Sequence, residues 1–131
     1  MKAEEQMKEK YMEFQMIQQQ LEQINEHLEM LMQQSQEIEI SINAIKEIGK
    51  TEVDNEILAP IANGIFIKSR LHDNKKLVVN VGSDTTVERT VPEVVKLLEE
   101  QHKQMHKSMA EADSMMQDLS GRAKKMYEEL E

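Results

Sequence analysis

The chain has 131 residues, enough for one domain, with 31% charged and only 3% aromatic residues. Such a polar, aromatic-poor composition argues against a conventional compact core and for long helices rich in Glu, Lys, Gln, Leu and Met. The formal net charge of −9 is spread along the chain, with no basic segment, so neither nucleic acid nor an anionic membrane is an expected partner. Cysteine is absent, which excludes disulfide and thiolate chemistry and suits a reducing cytosol. No run of about 18 apolar residues is present for a membrane span, and no apolar signal region is expected at the N-terminus.

Residues 1–48 contain neither Gly nor Pro. With Met7 at heptad position a, the a positions read Met7, Phe14, Leu21, Leu28, Ser35 and Ile42. The d positions read Lys10, Ile17, Ile24, Leu31, Ile38 and Ile45. Ten of these twelve are apolar. A strict seven-residue repeat keeps one narrow stripe facing a partner helix, so a coiled-coil helix is expected over 1–48, with Gly49 as its stop.

Residues 49–56, GKTEVDNE, read as a linker. The segment 57–89 then reads as two β-hairpins. ILAPIA (57–62) and IFIKSRL (65–71) flank Asn63-Gly64, the pattern of a type I′ turn with positive φ at both positions. Pro60 cannot donate to a ladder, which predicts an edge or a bulge there. LVVNV (77–81) and TTVER (85–89) flank Gly82-Ser83-Asp84 and predict a second hairpin.

A second helix is expected over 90–131. Thr90-Val-Pro-Glu93 is a capping box, and Pro92 in the first turn forfeits no helical hydrogen bond. Its seam positions are Val91, Val95, Leu98, His102, Met105, Met109, Ala112, Met116, Leu119, Ala123, Met126 and Leu130, eleven of twelve apolar. Gly121 is a weak point after which the last residues are expected to fray. The fold class expected is α+β, mainly α. A long antiparallel two-helix coiled coil is joined by two β-hairpins, all in one domain.

Folding the helices antiparallel, with Ile45 near Val91, places Leu130 beside residues 6–10 and Phe14 near Met126. Three of the four aromatic residues, Tyr11, Phe14 and Tyr127, then gather with several methionines at the end that carries both termini. Met7, Phe14, Leu119, Met126 and Leu130 are seam positions. Tyr11, Met12, Met16 and Tyr127 lie off the strict seam and are expected to form an adaptable apolar contact surface, because methionine is flexible and polarizable. In the hairpins, Ile57, Leu58, Ile61, Ile65, Phe66, Ile67, Leu77, Val78, Val79, Val81 and Val87 put apolar groups on both faces. Isolated hairpins are marginal in water, and closing them into a barrel with other subunits would bury both faces and remove the edges. Oligomerisation through this segment is therefore expected.

The chain resembles the alpha class of the prefoldin family over essentially its whole length. The specific stretches are ILAPIANGIFIKSRL, LVVNVG and TVERTVPEVVKLLEEQ. Two hairpins between two long helices resemble the alpha class, whereas the beta class has one. The resemblance implies a hexamer of two alpha and four beta subunits, whose hairpins build a double β-barrel platform carrying six coiled-coil tentacles. It implies tips that hold non-native client proteins without ATP and pass them to a group II chaperonin in the cytoplasm. Alpha subunits often carry a glycine-rich turn where this chain has Ala62-Asn63-Gly64. They often carry a small residue and an aromatic where it has Ser83-Asp84-Thr85-Thr86. A gamma-type filament-forming prefoldin shares much of the motif, and a plain coiled-coil scaffold or an amphipathic membrane helix is the alternative outside the family. The compact form looks archaeal.

No P-loop, dinucleotide fingerprint or nucleophile elbow occurs. His102 and His106 are four apart but lack the glutamate of a metalloprotease pattern and a third ligand. They read as a seam imidazole and a solvated neighbour. Neither an enzyme nor a cofactor or metal is expected.

Overall fold

The computed structural model describes residues 2–130. Helix α1 spans Lys2–Lys50 and helix α2 spans Val91–Leu130. Between them come β1 (Glu56–Ala62), β2 (Ile65–Arg70), β3 (Lys76–Gly82) and β4 (Thr85–Thr90). The architecture is thus two long helices with two β-hairpins between them, as the sequence leads one to expect. The chain forms two compact units, one of residues 1–36 with 103–131 and one of residues 37–102.

In the first unit the two helices run antiparallel. Lys10 Nζ lies 3.3 Å from Glu129 Oε2, and the Phe14 and Tyr127 rings stand 6.3 Å apart. Gln20 and Ile24, further along α1, meet Met115 and Leu119, earlier in α2. Burial follows the heptad. On α1 the sheltered residues are Phe14, Ile17, Leu21, Ile24, Leu28, Leu31 and Ser35. On α2 they are Met105, Met109, Ala112, Met116, Leu119, Ala123, Met126 and Leu130. Helix α2 continues unbroken through Gly121 to Leu130, so the expected fraying has no counterpart in its backbone. Flanking helix formers and a continuing seam carry the helix past one glycine.

The second unit holds the C-terminal part of α1, the N-terminal part of α2 and both hairpins. Ile38, Ile42, Ile45 and Ile48 face Val91, Val94, Val95, Leu98 and His102 as its sheltered helical residues. Gly49 is not the stop. Helix α1 runs through it to Lys50, and the last turn is closed by Thr51, whose hydroxyl donates to the Glu47 carbonyl at 2.7 Å. The glycine serves packing: a Cβ there would sit 3.2 Å from Val91 Cγ1. The connection is consequently shorter than 49–56. It covers residues 51–55, and Asp54, at φ 74°, turns it. Asp54 N–H donates to the Leu71 carbonyl (2.7 Å) and Leu71 N–H to that of Asn55 (3.0 Å). These bonds hold the root of the first hairpin closed and leave Leu71 buried.

Each hairpin is a separate two-stranded antiparallel sheet. In the first, Leu58 opposes Lys68 and Pro60 opposes Phe66, after which the register slips between Pro60 and Ala62. Pro60 thus stands beside an irregularity, the place a residue without an N–H can occupy. The Asn63-Gly64 turn is not type I′, because only Gly64 takes a positive φ (76°) there. A positive φ at the second of two central residues is the pattern of a type II turn, and the register slip is a bulge within β1 before it. The second hairpin holds the two consecutive positive φ values expected of the first, at Ser83 (50°) and Asp84 (58°). Gly82, at φ 118°, precedes them, and its N–H donates to Asn80 Oδ1 at 2.9 Å.

The start of α2 is tied from both sides. Glu93 N–H donates to Thr90 Oγ1 at 3.3 Å, one half of the expected capping box. The Glu93 carboxylate lies 4.0 Å from Arg89 Nε. Val91 N–H donates to the Lys75 carbonyl at 2.9 Å, so an otherwise orphaned helical donor is satisfied by the inter-hairpin loop. That loop is shaped by Asp73, whose Oδ1 accepts from Lys75 N–H (2.8 Å) and Lys76 N–H (3.2 Å). Asn74 Nδ2 donates to the Thr51 carbonyl at 2.9 Å.

The two helical glycines should respond oppositely to alanine. Gly121→Ala meets nothing within 4 Å and should stabilise by about 0.5–1 kcal/mol, whereas Gly49→Ala must displace Val91 and should lose most of that gain. Thermal melts followed by circular dichroism check this, and equal gains would show that the Gly49–Val91 contact is easily relaxed. The two backbone N–H donors hold the Asp73 carboxyl below its ordinary 3.8. A lowered native value means the loop is supported above the ordinary carboxylate range and loses that support as pH falls through the native value. The Asp73 carboxyl resonance should titrate with a midpoint under 3.8, which an NMR pH series measures.

Candidate functional site

Among the accessible apolar side chains of the described residues, two groups gather together, one in each unit. In the first unit, shelter along the heptad stops at Phe14 on α1. Phe14 and Leu130 are half-buried, but Met7, the next a position, is 55% exposed. Met7 is therefore not a seam residue in this structure. Lys10, the d position between them, is also outside the seam and pairs with Glu129. Around Phe14, Tyr127 and Leu130 the helices leave a groove.

That groove has a volume of about 850 Å3 and is lined by Glu4, Met7, Lys8, Tyr11, Met12, Phe14, Tyr127 and Leu130. Its floor is the tilted Phe14–Tyr127 ring pair, with planes 36° apart. Tyr11, Met12 and Tyr127 are all more than half exposed. The helical period explains the gathering. Residues 4, 7, 8, 11 and 14 are spaced three or four apart, so they rise on one face of α1.

The nine residues expected at this end do not all share one surface. Met7, Tyr11, Met12, Phe14, Tyr127 and Leu130 do. Met16 and Met126 lie instead in a separate depression with Glu13, Ile17, Gln20, Arg122, Lys125 and Glu129. Leu119 lines a third, with Ile24 and Met115. Glu4 and Lys8 join the groove without having been expected there. Their spacing from Met7 and Tyr11 carried the signal, but a search for apolar residues passes over charged ones. The long stem of Lys8 presents methylenes beside its charge, so the rim is amphipathic rather than closed to apolar matter.

In the second unit, the strands alternate. Ile57 and Ala59 on β1, and Leu77 and Val79 on β3, are half-buried, as is Val87 on β4. Leu58, Ile61, Ile65, Phe66, Ile67, Val78 and Val81 are all exposed, Val78 to 71%. Leu58, Phe66 and Val78 lie on the opposite face, whereas Ile67, paired with Ala59, shares the face of Ile57. A two-stranded sheet has one partner per strand, so each of the four strands also presents one unpaired backbone edge. Exposed apolar groups and open ladder positions thus coincide.

Of the histidines singled out, His102 is half-buried and His106 exposed. Among the described residues no group of three His, Cys, Asp or Glu side chains is placed to hold a metal ion. No helix among them is long and apolar enough to cross a membrane.

Truncating the groove floor and cutting its rim should have different costs. Phe14→Ala removes a half-buried ring and should destabilise by roughly 1–2 kcal/mol. Lys10→Ala removes an exposed ion pair and should change stability by less than about 0.5 kcal/mol. Denaturant titrations of the two variants check the contrast.

A family model for prefoldin subunits matches residues 2–131. Prefoldin subunit alpha of Methanopyrus kandleri is 28% identical over 79 residues, covering 60% of this chain and 48% of that protein. The matched stretch is thus about half the length of that relative. Prefoldin subunit alpha of Pyrococcus horikoshii is 29% identical over 111 residues, covering 84% of this chain and 75% of that one. Among solved structures, a filamentous prefoldin from Methanocaldococcus jannaschii, determined by cryo-electron microscopy, is similar with a TM-score of 0.77. It covers 88% of this chain and 95% of that one at 16% identity, a likeness of fold. Prefoldin is a chaperone family and not an enzyme family. With two hairpins between its long helices and alpha-class relatives across archaea, this chain belongs to the prefoldin subunit family, in the alpha class.

Proposed function

We propose that the whole chain works as one subunit of an ATP-independent holding chaperone. In this reading the open groove at Met7, Tyr11, Met12, Phe14, Tyr127 and Leu130 contacts exposed apolar segments of non-native proteins. Met16, Leu119 and Met126 add apolar surface on the neighbouring depressions. The hairpin residues, Leu58, Ile61, Ile65, Phe66, Ile67, Val78 and Val81 foremost, pair with beta-class subunits in a complex of two alpha and four beta chains. Its place is the cytoplasm, where it passes clients to a group II chaperonin.

The observation that supports this reading most is the groove itself: scarce aromatic and methionine side chains, held open at the end of a seam. Flexible thioethers beside fixed rings can accommodate many apolar shapes. Contact at one such end is weak, and several ends linked in one assembly gain strength by effective concentration. The unpaired strand edges and exposed apolar faces of the hairpins support the need for partner subunits.

A second reading, a gamma-type filament of like subunits, is favoured by the fold likeness to the filamentous Methanocaldococcus prefoldin. Native mass spectrometry with and without a beta-class partner separates the two. A discrete mass of six chains supports the hexamer, and an open ladder of masses supports the filament. Coassembled with that partner, the protein should suppress aggregation of a denatured client without nucleotide. Replacing Tyr11 and Met12 with serine should weaken suppression severalfold without changing the assembled mass. Full suppression by that variant would place client contact elsewhere, and no suppression by the intact complex would leave a coiled-coil scaffold.

A further inference from the structure

The chain contains eleven methionines and no cysteine, so any oxidation of its own sulfur occurs at a thioether. Among the described residues the methionines fall into two groups. Met105, Met109, Met116 and Met126 lie half-buried along the helix seam. Met7, Met12, Met16, Met30, Met32 and Met115 are exposed, at 48–64%. Two of the exposed ones, Met7 and Met12, line the groove.

We propose that Met7 and Met12 are oxidative modification sites, and that their conversion to the sulfoxide turns off the apolar groove while leaving the coiled coil folded. The oxidant is a peroxide. A thioether lone pair attacks one peroxide oxygen, the O–O bond breaks, a sulfur–oxygen bond forms and water leaves. Sulfur loses two electrons and the peroxide gains them. A thiol-dependent sulfoxide reductase reverses the step, two thiols becoming one disulfide as the oxygen leaves as water.

Placement separates function from fold. Susceptibility follows exposure, so the groove methionines react before the seam methionines. A sulfoxide is polar and rigidly chiral where the thioether was apolar and adaptable. In the seam it would disrupt packing. At Met7 and Met12 it faces water and costs the fold little. What it removes is apolar lining, leaving the Phe14–Tyr127 floor rimmed by polar groups. The consequence for capture rests on the holding role proposed above, whereas the order of oxidation does not.

The test uses the full chain coassembled with its beta-class partner, treated with hydrogen peroxide and quenched at intervals. Peptide mass mapping should show Met7 and Met12 oxidised before Met105, Met109, Met116 and Met126. Oxidation of those seam residues ahead of the groove pair overturns the site. At the point where only exposed methionines have reacted, the helical circular dichroism should be intact and client suppression roughly tenfold weaker, the scale of losing one apolar contact side chain. Sulfoxide reductase with a thiol should restore it. Each protein is scored as suppression after peroxide divided by its own suppression before, so the partner's methionines affect all samples alike. The double variant Met7→Leu, Met12→Leu should keep most of its own suppression. The double variant Met30→Leu, Met32→Leu should lose as much as the unaltered chain. Equal losses in the unaltered and Met7→Leu, Met12→Leu proteins overturn the switch. No suppression by the untreated complex overturns the holding role and the switch with it, while the mapping still decides the site.

Discussion

Two helices packed along a single heptad stripe can shelter only the side chains on that stripe, and each of those from only one side. Even the best protected positions, such as Ile17, Leu31, Ile42 and Ala112, keep 6–9% of their surface, and no side chain among the described residues is fully enclosed. Apolar burial is thereby spread over many half-sheltered residues instead of being concentrated in a core. Such a chain has no interior in which to place extra apolar groups. Apart from a few residues such as Leu71 and Val94, apolar groups off the stripe are at the surface. The groove around Met7, Tyr11 and Met12 and the bare hairpin faces are both consequences of that geometry.

The hairpins show the same constraint in β form. A two-stranded sheet cannot cover its own faces, and here the two do not pair with each other. Their shape is held by local chemistry: left-handed backbone at Ser83, Asp84 and Gly64, the Asn80 carboxamide on Gly82, and the Asp73 carboxylate on two successive N–H groups. The roots are anchored by Asp54, Asn55 and Leu71 on one side and by Lys75 and Val91 on the other. Local bonds thus fix the turns and roots, while the faces and outer edges of both hairpins stay open.

Much of this was legible in the residues because the helical signal is one-dimensional. A repeat of seven states which face is sheltered; burial from Phe14 to Ile45 follows it residue by residue, and from Val91 to Leu130 it does so with Val94 as an addition. The expected neighbours at the helix ends, Phe14 against the Met126 region and Leu130 against residues 6–10, also follow from counting rise along two antiparallel helices. Turn chemistry was less legible. Asn-Gly favours type I′ in isolation, but only Gly64 of the two-residue loop between Ala62 and Ile65 takes a positive φ. Ser83-Asp84 takes the paired left-handed conformation with no glycine at either position. Gly49 read as a helix stop because only local propensity is visible in a string of letters, and its contact with Val91 is not local.

The sequence by itself determined the two helices, the two hairpins, their order and the face each helix buries. Those depend on periods and breakers that act within a few residues. The tertiary structure alone decided where the seam ends, that Met7 falls outside it, and that Met16, Leu119 and Met126 lie on surfaces apart from the groove. A heptad repeat specifies that a position faces the partner helix but not whether partner side chains are there to meet it. That depends on what the other helix presents at the same height, and at the level of Lys10 it presents Glu129 in an exposed ion pair.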